Sequence, residues 1–428
     1  MIDVAIIGGG IVGLACAYAL ARRGASVSLF EKGRLGGEQS SRNWGFVRQQ
    51  GRDPVEIPLM AESNRLWRQL ETELEADIEW EQQGNLALAA TEADLSRYEE
   101  AAALCRQFGI KTNLLTGEAV ARLVPGLAGP YVGGLYTDSD GQADPLKATL
   151  AFARAAERHG ARLYAYCAVE GLRRCNGRIA GVFTEKGEVD AGHVVCAAGA
   201  HASRVARMAS LALPQRMVRS TVALTTPLPP ITKTAVWGLG VGFRQTRQGG
   251  MVLGRASAGS AIHDVTFDSF RHLRLFFPMY VENREFVRMR VGRRLWDDLR
   301  RSFPGSKARR HPFADAVDLE PEPNLRTAET ARQAFMRHFP ALGEVRLERS
   351  WAGIIDATPD LVPVLGEAKA LPGFVLATGF SGHGFAMAPI VGRLVAELIL
   401  DGRPSLDLRG LRLERFAEGD FGKPRKVL

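Results

Sequence analysis

The sequence predicts an α/β fold with two domains, and three observations carry this prediction. A glycine-rich strand–helix–strand unit stands at the start of the chain, and a strand–turn–helix unit stands near its end. Between them lie two stretches in which short strand-like runs alternate with helical ones. A domain closed by both ends of the chain, with a second α+β domain inserted in two pieces, accounts for this order. At 428 residues the chain is also too long for one simple core.

The N-terminal unit is read from its apolar pattern. Residues 3–7 are apolar and short enough for a buried parallel strand. Residues 11–23 are rich in Ala and Leu, which favour a helix, and residues 26–30 form a second short strand. A strand, a helix and a second strand in this order predict a Rossmann-like domain.

The turn between the first strand and the helix has G-x-G-x-x-G spacing. Gly8 permits the tight turn, Gly10 lets the backbone approach a pyrophosphate, and Gly13 lets the helix pack closely on the strand. Glu31 ends the second strand, where a carboxylate can accept hydrogen bonds from ribose hydroxyls. The unit therefore predicts dinucleotide binding rather than a structural glycine turn, but it does not separate NAD from FAD.

The C-terminal unit, residues 373–399, reads as a strand, a glycine-rich turn and a helix with apolar positions every three or four residues. Gly379, Gly382 and Gly384 stand close together, where bare backbone can lie against a flat ring. The helix is predicted to start near Ala388, with its first amides available to a developing negative charge. The alternative is a unit that packs on the sheet and binds no ligand.

Five motifs follow one another between residue 4 and about residue 400: IIGGGIVG, SSRNWG, VVCAAGAHA, WAGIIDATPDLVPVLG and GFSGHGFAMAP. In these motifs the chain resembles the D-amino-acid-oxidase-like family of FAD-dependent amine and amino-acid oxidoreductases, which includes glycine oxidase, sarcosine oxidase and D-amino-acid dehydrogenases. The resemblance implies a Rossmann-like FAD-binding domain with a sheet-based substrate domain inserted in two pieces. The predicted FAD-binding domain comprises residues 1–78, 145–215 and 334–428, and the predicted substrate domain comprises residues 79–144 and 216–333.

The resemblance also implies which residues bind FAD. It places the loop after the second strand on the pyrophosphate and flavin, where hydroxyl, amide and guanidinium groups can donate hydrogen bonds. It places Val169 beside the adenine and the segment Cys196 to Ala202 over the cofactor. The residues implied for FAD binding are Gly8, Gly10, Ile11, Val12, Gly13, Glu31, Lys32, Ser40, Ser41, Arg42, Asn43, Val169, Ala198, Gly199, Gly353, Gly379, Gly382, His383, Gly384 and Phe385.

The cysteines bear on the attachment of the flavin and on the redox setting. Sarcosine oxidases hold their flavin through a cysteine near the WAG motif, whereas Gly353 stands at the matching position here. We therefore predict non-covalent FAD. The cysteines are odd in number and form no CxxC pair, which argues against a disulfide framework, against a zinc site and for a reduced, cytoplasmic setting. They are Cys16, Cys105, Cys167, Cys175 and Cys196.

The chemistry that the resemblance implies is hydride transfer from the carbon beside an amine to flavin N5, giving an imine that hydrolyses. Three positions depart from the relatives. Ile355 and Gly382 stand where glycine-oxidase-like enzymes carry arginines, and Ala386 stands where sarcosine-oxidase-like enzymes carry a lysine. Arg48 matches the arginine with which sarcosine oxidases hold the substrate carboxylate, a role that suits a guanidinium. The alternative for Arg48 is a phosphate contact or a surface ion pair.

Two further residues are catalytic candidates beside Arg48. His383 is the one histidine within a flavin motif, and its alternative is a turn residue bonded to the backbone. Asp356 can receive a cationic amine, and its alternative is a capping or solvated loop residue. No metal site is expected.

The charge is concentrated in one segment. From Val265 to Pro312 the chain carries twelve Lys or Arg and five Asp or Glu, an excess that accounts for almost all of the net charge of +8. This basic insertion, residues 265–312, predicts either contact with anionic lipid or a solvated element that packs on its own domain or on a partner subunit. Because the remaining surface is near neutral, no nucleic-acid partner is expected.

Neither a signal peptide nor an uninterrupted apolar run of membrane-spanning length is seen, so a cytoplasmic protein is predicted, with peripheral attachment at the inner face of the membrane as an option. Two other functions stay open. The replaced anchors favour a flavoprotein subunit of a heteromeric amine or opine-type dehydrogenase. The basic insertion favours an FAD enzyme that acts on a modified base of transfer RNA.

Overall fold

The computed structural model describes residues 1–303, 313, 317 and 319–423. Its strands are β1 (Ile2–Ile7), β2 (Val27–Phe30), β3 (Phe46–Val47), β4 (Asn85–Ala89), β5 (Thr112–Thr116), β6 (Gly133–Thr137), β7 (Gly141–Gln142), β8 (Arg162–Tyr164), β9 (Val169–Cys175), β10 (Arg178–Thr184), β11 (Gly187–Cys196), β12 (Arg216–Thr225), β13 (Ala235–Gly238), β14 (Gly240–Gln245), β15 (Met251–Ala256), β16 (Ala261–Asp264), β17 (Val287–Arg290), β18 (Leu347–Ala357), β19 (Val364–Glu367) and β20 (Phe374–Thr378). Its α-helices are α1 (Ile11–Arg22), α2 (Gln39–Arg42), α3 (Ile57–Trp67), α4 (Leu70–Leu74), α5 (Glu92–Gln107), α6 (Gly117–Leu123), α7 (Pro145–Arg158), α8 (Ala202–Met208), α9 (Leu273–Asn283), α10 (Arg293–Ser302), α11 (Leu325–His338), α12 (Gly384–Leu400) and α13 (Arg415–Glu418). Short 3-10 turns cover Gly199–His201, Phe267–Phe270, Pro340–Leu342 and Arg409–Leu411.

The first sheet has the strand order β19-β20-β11-β1-β2-β8, with β10 and β9 added beside β11. From β20 to β8 each strand is parallel to its neighbour. The last four residues of β1 are buried, as expected for an apolar strand covered on both faces. This arrangement confirms the predicted α/β class and the Rossmann-like domain.

Helices from both ends of the chain pack on one face of this sheet. The helix α1 lies against α7 and α12. A Cβ at Gly392 of α12 would stand 2.5 Å from the carbonyl oxygen of Ala15, so the close approach of α1 and α12 requires glycine there. Ser63 and Trp67 of α3 both donate to the carbonyl of Ala386, which fixes α3 to α12. The glycine turn before α1 is therefore held by a core built from both ends of the chain.

The second sheet has the strand order β17-β16-β12-β15-β14-β13-β4-β6-β5, and β18 also pairs with β12. The ladder between β12 and β18 runs from the pair Arg216–Ala357 to the pair Thr225–Leu347. The predicted boundaries assign residues 347–357 to the FAD-binding domain, whereas this ladder joins them to the sheet of the predicted substrate domain. This pairing joins segments more than a hundred residues apart in the chain.

The start of the C-terminal helix was placed wrongly by the sequence pattern. The helix α12 begins at Gly384, before the predicted start near Ala388. The amide of Met387 already donates to the carbonyl of His383, which closes the first turn. Pro389 therefore lies in the second turn of the helix rather than at its first position.

The described part of the basic insertion contains the turn Phe267–Phe270, α9, β17 and α10, and residues 304–312 lie outside the described residues. The strand β17 pairs with β16, so the insertion extends the second sheet. On α9, Phe276 and Met279 are buried, whereas Phe277 and Tyr280 are exposed. The insertion therefore packs on its own domain and also presents apolar side chains outward. Within the described residues, none of the helices has the length and apolar character that crossing a membrane requires.

Candidate active site

A cleft runs between the two sheets, from the glycine turn after β1 to the faces of β12 and β13. The glycine turn forms its first end. A Cβ at Gly8 would stand 2.4 Å from the carbonyl oxygen of Ala197, and a Cβ at Gly13 would stand 2.0 Å from that of Gly8. Because Gly8 also has φ +113°, only glycine fits there. The helix α1 has no side-chain cap at Gly10 and no acid in its first turn, so its positive end faces the cleft.

Glu31 lies beside this turn. Its carboxylate accepts the backbone amides of Gly9 at 2.7 Å and Gly33 at 2.9 Å, one on each oxygen. Burial raises the pKa of Glu31, and these two hydrogen bonds oppose the rise. Each oxygen keeps a second lone pair, which can accept a ribose hydroxyl.

The loop that follows β2 shapes the next part of the cleft. The Ser40 hydroxyl accepts the amide of Ile11 at 2.8 Å, which holds the loop against the start of α1. Arg42 donates to the carbonyl of Ala352, and Asn43 accepts the amide of Gly45 while donating to the carbonyl of Ser40. Arg42 and Asn43 therefore both brace the loop and line the cleft.

Gln39, which the sequence pattern did not single out, joins this loop to Asp356 on β18. Its side-chain amide donates to Asp356 at 3.0 Å, and its oxygen accepts the amide of Ala200 at 2.7 Å. The other oxygen of Asp356 accepts the amide of Gly379 at 3.0 Å. Burial raises the pKa of Asp356 to about 6. Asp356 thus ties together segments that line the cleft, and a neutral donor already occupies each of its oxygens.

Two arginines, Arg48 half-buried and Arg52 buried, stand at the opposite end of the cleft. Arg48 lies with its guanidinium carbon 5.1 Å from the centre of the Trp237 ring, and Arg52 is 8% exposed. The Nη1 atom of Arg48 and the Nε and Nη1 atoms of Arg52 are buried and have no hydrogen-bond partner in the described part of the chain. Burial lowers the pKa of both groups, that of Arg48 to about 9, and the charge of Arg52 adds to the shift of Arg48. Buried guanidinium donors that lack partners within the described residues fit an anionic ligand.

His383 meets a buried carboxylate at the same end. Its Nδ1 atom lies 2.9 Å from Oε1 of Glu56, which is 1% exposed. Burial and then the charge of Arg52 lower the pKa of His383, against the effect of Glu56. Burial opposes ionisation of Glu56, but its contacts with His383 and the charge of Arg52 lower the pKa of Glu56 overall. A neutral His383 that donates from Nδ1 keeps Nε2 as a proton acceptor.

Aromatic side chains form the wall beside Arg48. Trp44 and Trp237 lie with ring centres 5.9 Å apart, and Trp44 and Phe46 meet edge-on at 5.5 Å. A Cβ at Gly242 or Gly254 would stand 2.4 or 1.9 Å from the Trp44 indole. Glycines on β14 and β15 therefore form a slot that receives the Trp44 ring.

The cleft brings most of the predicted residues together. Of the residues predicted to bind FAD, those that line the cleft are Gly8, Gly10, Ile11, Val12, Glu31, Lys32, Ser40, Arg42, Asn43, Val169, Ala198, Gly199, Gly353, Gly382, His383, Gly384 and Phe385. Gly13, Ser41 and Gly379 lie outside its lining. Val169 opens β9 rather than continuing from β8, because Tyr166 between them has a left-handed backbone. All three catalytic candidates, Arg48, Asp356 and His383, line the cleft.

The sequence reasoning missed Gln39, Trp44, Arg52, Glu56 and Trp237. The spacing of Arg52 and Glu56 gave no signal, because residues 48–56 lie in a loop between β3 and α3 and not on a helix. The others meet partners that are far away in the chain.

The donor set fits an elongated dinucleotide that carries a flavin. The cleft offers an acid for the ribose, the N-terminal end of α1 for phosphate, and bare backbone around Gly382 and Gly384 for a flat ring. Arg48 and Arg52 line the same cleft with donors that have no partner among the described residues, and these donors can hold a small anionic substrate.

Comparisons with known proteins agree with this geometry. Residues 3–398 match the model of the DAO family, described as FAD dependent oxidoreductase. The chain is 28% identical to the sarcosine oxidase subunit beta of Rhizobium meliloti (strain 1021), over 97% of this chain and 89% of that protein. It is 27% identical to the glycine oxidase of Geobacillus kaustophilus (strain HTA426), over 96% of this chain and 97% of that protein. The structure of L-amino acid deaminase from Proteus myxofaciens, in complex with anthranilate, has a TM-score of 0.91 at 26% identity, over 97% of this chain and 93% of the other.

Proposed function

The chain belongs to the DAO family of FAD dependent oxidoreductases, and from this premise we propose that it oxidises the C–N bond of an amino acid or of a secondary amine that carries a carboxylate. Non-covalently bound FAD supplies the hydride acceptor, its N5 atom, and the imine formed from the substrate is hydrolysed by water. The chain's own task is to hold the carboxylate, to orient the carbon–hydrogen bond and to keep the amine neutral.

The observation that carries the proposal is the pair of arginines whose guanidinium nitrogen atoms are buried in the cleft. Arg48 and Arg52 present guanidinium N–H groups that have no partner among the described residues. Such donors cost free energy when buried and regain it when a carboxylate accepts them. Near neutral pH the ionised Glu56 and the partly ionised Asp140 offset only part of the charge of the two arginines, which leaves positive charge beside a neutral His383. One carboxylate together with a neutral amine balances that charge.

The amine end of the substrate is assigned to His383. An ammonium cannot release hydride from the adjacent carbon, so its proton must leave first. Because Glu56 holds Nδ1, the Nε2 atom of His383 takes this proton and passes it to solvent. Asp356, by contrast, acts on the cofactor side, since it braces Gln39 and Gly379. We assign it a positioning role.

Relatives support the substrate class. The names of those compared above specify sarcosine, glycine and L-amino acids, all of which join an amine to a carboxylate. The shape of the cleft does not select among these molecules, so we propose an amine that carries a carboxylate as the substrate class.

The flavin reports the reaction directly. Purified protein is mixed anaerobically with D- and L-amino acids, N-methyl amino acids and carboxylate-free amines, and the visible absorbance of the flavin is followed. Reduction by carboxylated amines, with the matching carbonyl product, is the expected result. Reduction by carboxylate-free amines only would contradict the proposal.

A second candidate is a flavoprotein subunit whose activity needs a partner. The printed name of the Rhizobium relative supports it, and so do the exposed Phe277 and Tyr280 on α9, which offer a docking surface for a partner or for a membrane. A yellow protein that is reduced by no amine alone, but gains activity with proteins encoded beside it, would favour this candidate. Sedimentation with anionic vesicles would favour the membrane.

A further inference from the structure

The aromatic side chains beside Arg48 carry no charge that could bind a carboxylate. The ring of Trp237 lies against the Arg48 guanidinium, and the rings of Trp44 and Phe46 extend this apolar wall. We infer that the substrate of the proposed reaction carries a large apolar group, aromatic or branched aliphatic, which Trp44, Phe46 and Trp237 receive. This inference rests on the proposed function and narrows its substrate class.

Contacts within the protein fix the orientation of the aromatic wall. The ring of Trp44 fills the slot above Gly242 and Gly254, where any side chain would collide with it. Its contacts with Phe46 and Trp237 fix its orientation at centre distances of 5.5 and 5.9 Å. All three rings line the cleft and keep part of their surface open to it. A flat, pre-ordered apolar surface of this kind binds an apolar group with little further loss of conformational freedom.

The neighbouring walls are also apolar. Val222 on β12 and Ile355 on β18 line the same cleft. A Cβ built on Gly382 would stand 3.9 Å from the Cγ2 atom of Ile355, so both positions leave room and neither offers a charge. Val222, Ile355 and Gly382 therefore add no charge to this part of the cleft, and the space they leave suits an apolar group.

The size of the substrate decides whether this surface is used. Glycine or sarcosine, held at Arg48, carries no group that could cover the rings of Trp44 and Trp237. A phenyl or isobutyl group covers them, and burial of such a group corresponds to about a 10- to 100-fold gain in affinity.

Affinity for simple carboxylates tests the wall without catalysis. Benzoate and acetate share the carboxylate, so the ratio of their dissociation constants, read from the flavin spectrum of the holoenzyme, isolates the apolar surface. We expect benzoate to bind at least about 10-fold more tightly, and Trp237→Ala to bring the ratio to within about threefold of one. Trp296→Ala, on the exposed face of α10, is the matched control and should retain the wild-type ratio. Equal affinities in the wild-type enzyme would overturn the inference.

Flavin reduction separates this inference from the proposed function. Glycine, sarcosine, leucine and phenylalanine, with both enantiomers of the last two, are compared at one concentration. Faster reduction by leucine or phenylalanine is the expected result. Faster reduction by glycine or sarcosine overturns the apolar-group inference and leaves the proposed function standing. If no carboxylated amine reduces the flavin, the proposed function fails, and the ratio of benzoate to acetate affinity still decides whether the wall binds an apolar group.

Discussion

His383 Nδ1 lies 2.9 Å from Oε1 of Glu56, although 327 residues separate the two in the chain. The contact joins the glycine turn before α12 to the segment that carries Arg48 and Arg52. Because Glu56 is buried and accepts a hydrogen bond from Nδ1, it selects the tautomer in which Nε2 can take a proton. A residue that looked like a turn histidine in the sequence is thereby placed in a defined chemical state.

Glu56→Gln tests this relationship. A glutamine amide can donate to Nδ1 and so favours the wrong tautomer, and it removes a charge that raises the pKa of His383. We expect the rate of flavin reduction to fall about 10²-fold. The acidic limb of the pH profile, which lies below the usual pKa of histidine because that of His383 is lowered, should move further down. Stopped-flow reduction between pH 5 and 10 measures both effects.

Glu62→Gln is the control for this variant. Glu62 lies on α3 and pairs with Arg65 and Arg393 outside the cleft, so its rate and pH profile should match the wild type. A Glu56→Gln enzyme with the wild-type rate and profile would remove His383 from the proposed proton transfer.

Arg52→Met is predicted to weaken substrate binding with little change in the free energy of unfolding. Loss of charged hydrogen bonds to the carboxylate should weaken substrate binding about 10- to 100-fold. The unfolding free energy of the apoprotein should change by no more than about 1 kcal/mol, because removal of a buried charge is offset by loss of its attraction to the buried Glu56 and Asp140. Benzoate titration of the holoenzyme and urea unfolding of the apoprotein measure the two quantities. A less stable protein with unchanged affinity would mean that Arg52 is structural.

Asp140 makes a pH-dependent contribution to stability. It is fully buried, one of its oxygens has no hydrogen-bond partner within the described residues, and burial raises its pKa to about 7. Between pH 4 and 7 the folded state therefore binds the extra proton, and its stability falls as pH rises, by up to about 1.4 kcal/mol per pH unit. Asp140→Asn should be more stable than the wild type at pH 8, and the two should converge near pH 4. Urea unfolding at both pH values checks this, and a less stable Asp140→Asn protein at pH 8 would contradict it.

The flavin should be released by denaturation. None of the five cysteines lines the described cleft. Gly353, which matches the position of the flavin-binding cysteine of sarcosine oxidases, lies beside Arg42. Precipitation with trichloroacetic acid should leave all of the flavin absorbance in the supernatant. A yellow pellet would show a covalent bond.

The local part of the fold and site could be predicted from sequence, because the spacing that encodes it is local. The turn from Gly8 to Gly13 and the acid at Glu31 lie within one strand–helix–strand unit. The pairing of β18 with β12 and the contact of Gln39 with Asp356 could not be predicted, since each joins segments more than a hundred residues apart. The periodicity of apolar residues gives no information about contacts between such distant segments.

The substrate end shows the same division. Arg48 was found through its motif, and Arg52 was recognised only when its unpartnered donors were seen in the cleft. Trp44 and Trp237 give no signal as single aromatic residues. Their shared wall exists because β13, β14 and β15 bring Trp237, Gly242 and Gly254 beneath the loop that holds Trp44.

A comparison of phenylalanine with phenethylamine, which differ only in the carboxylate, tests whether the reaction needs a substrate carboxylate held by Arg48. Each is mixed anaerobically with the FAD-loaded wild type and with Arg48→Met, and the rate of flavin reduction is followed across substrate concentrations. We predict that phenylalanine reduces the flavin of the wild type and that its apparent affinity for Arg48→Met is lower by about 10- to 100-fold. Phenethylamine should cause little reduction in either protein. Reduction by phenethylamine at the rate of phenylalanine, unaffected by Arg48→Met, would contradict this prediction.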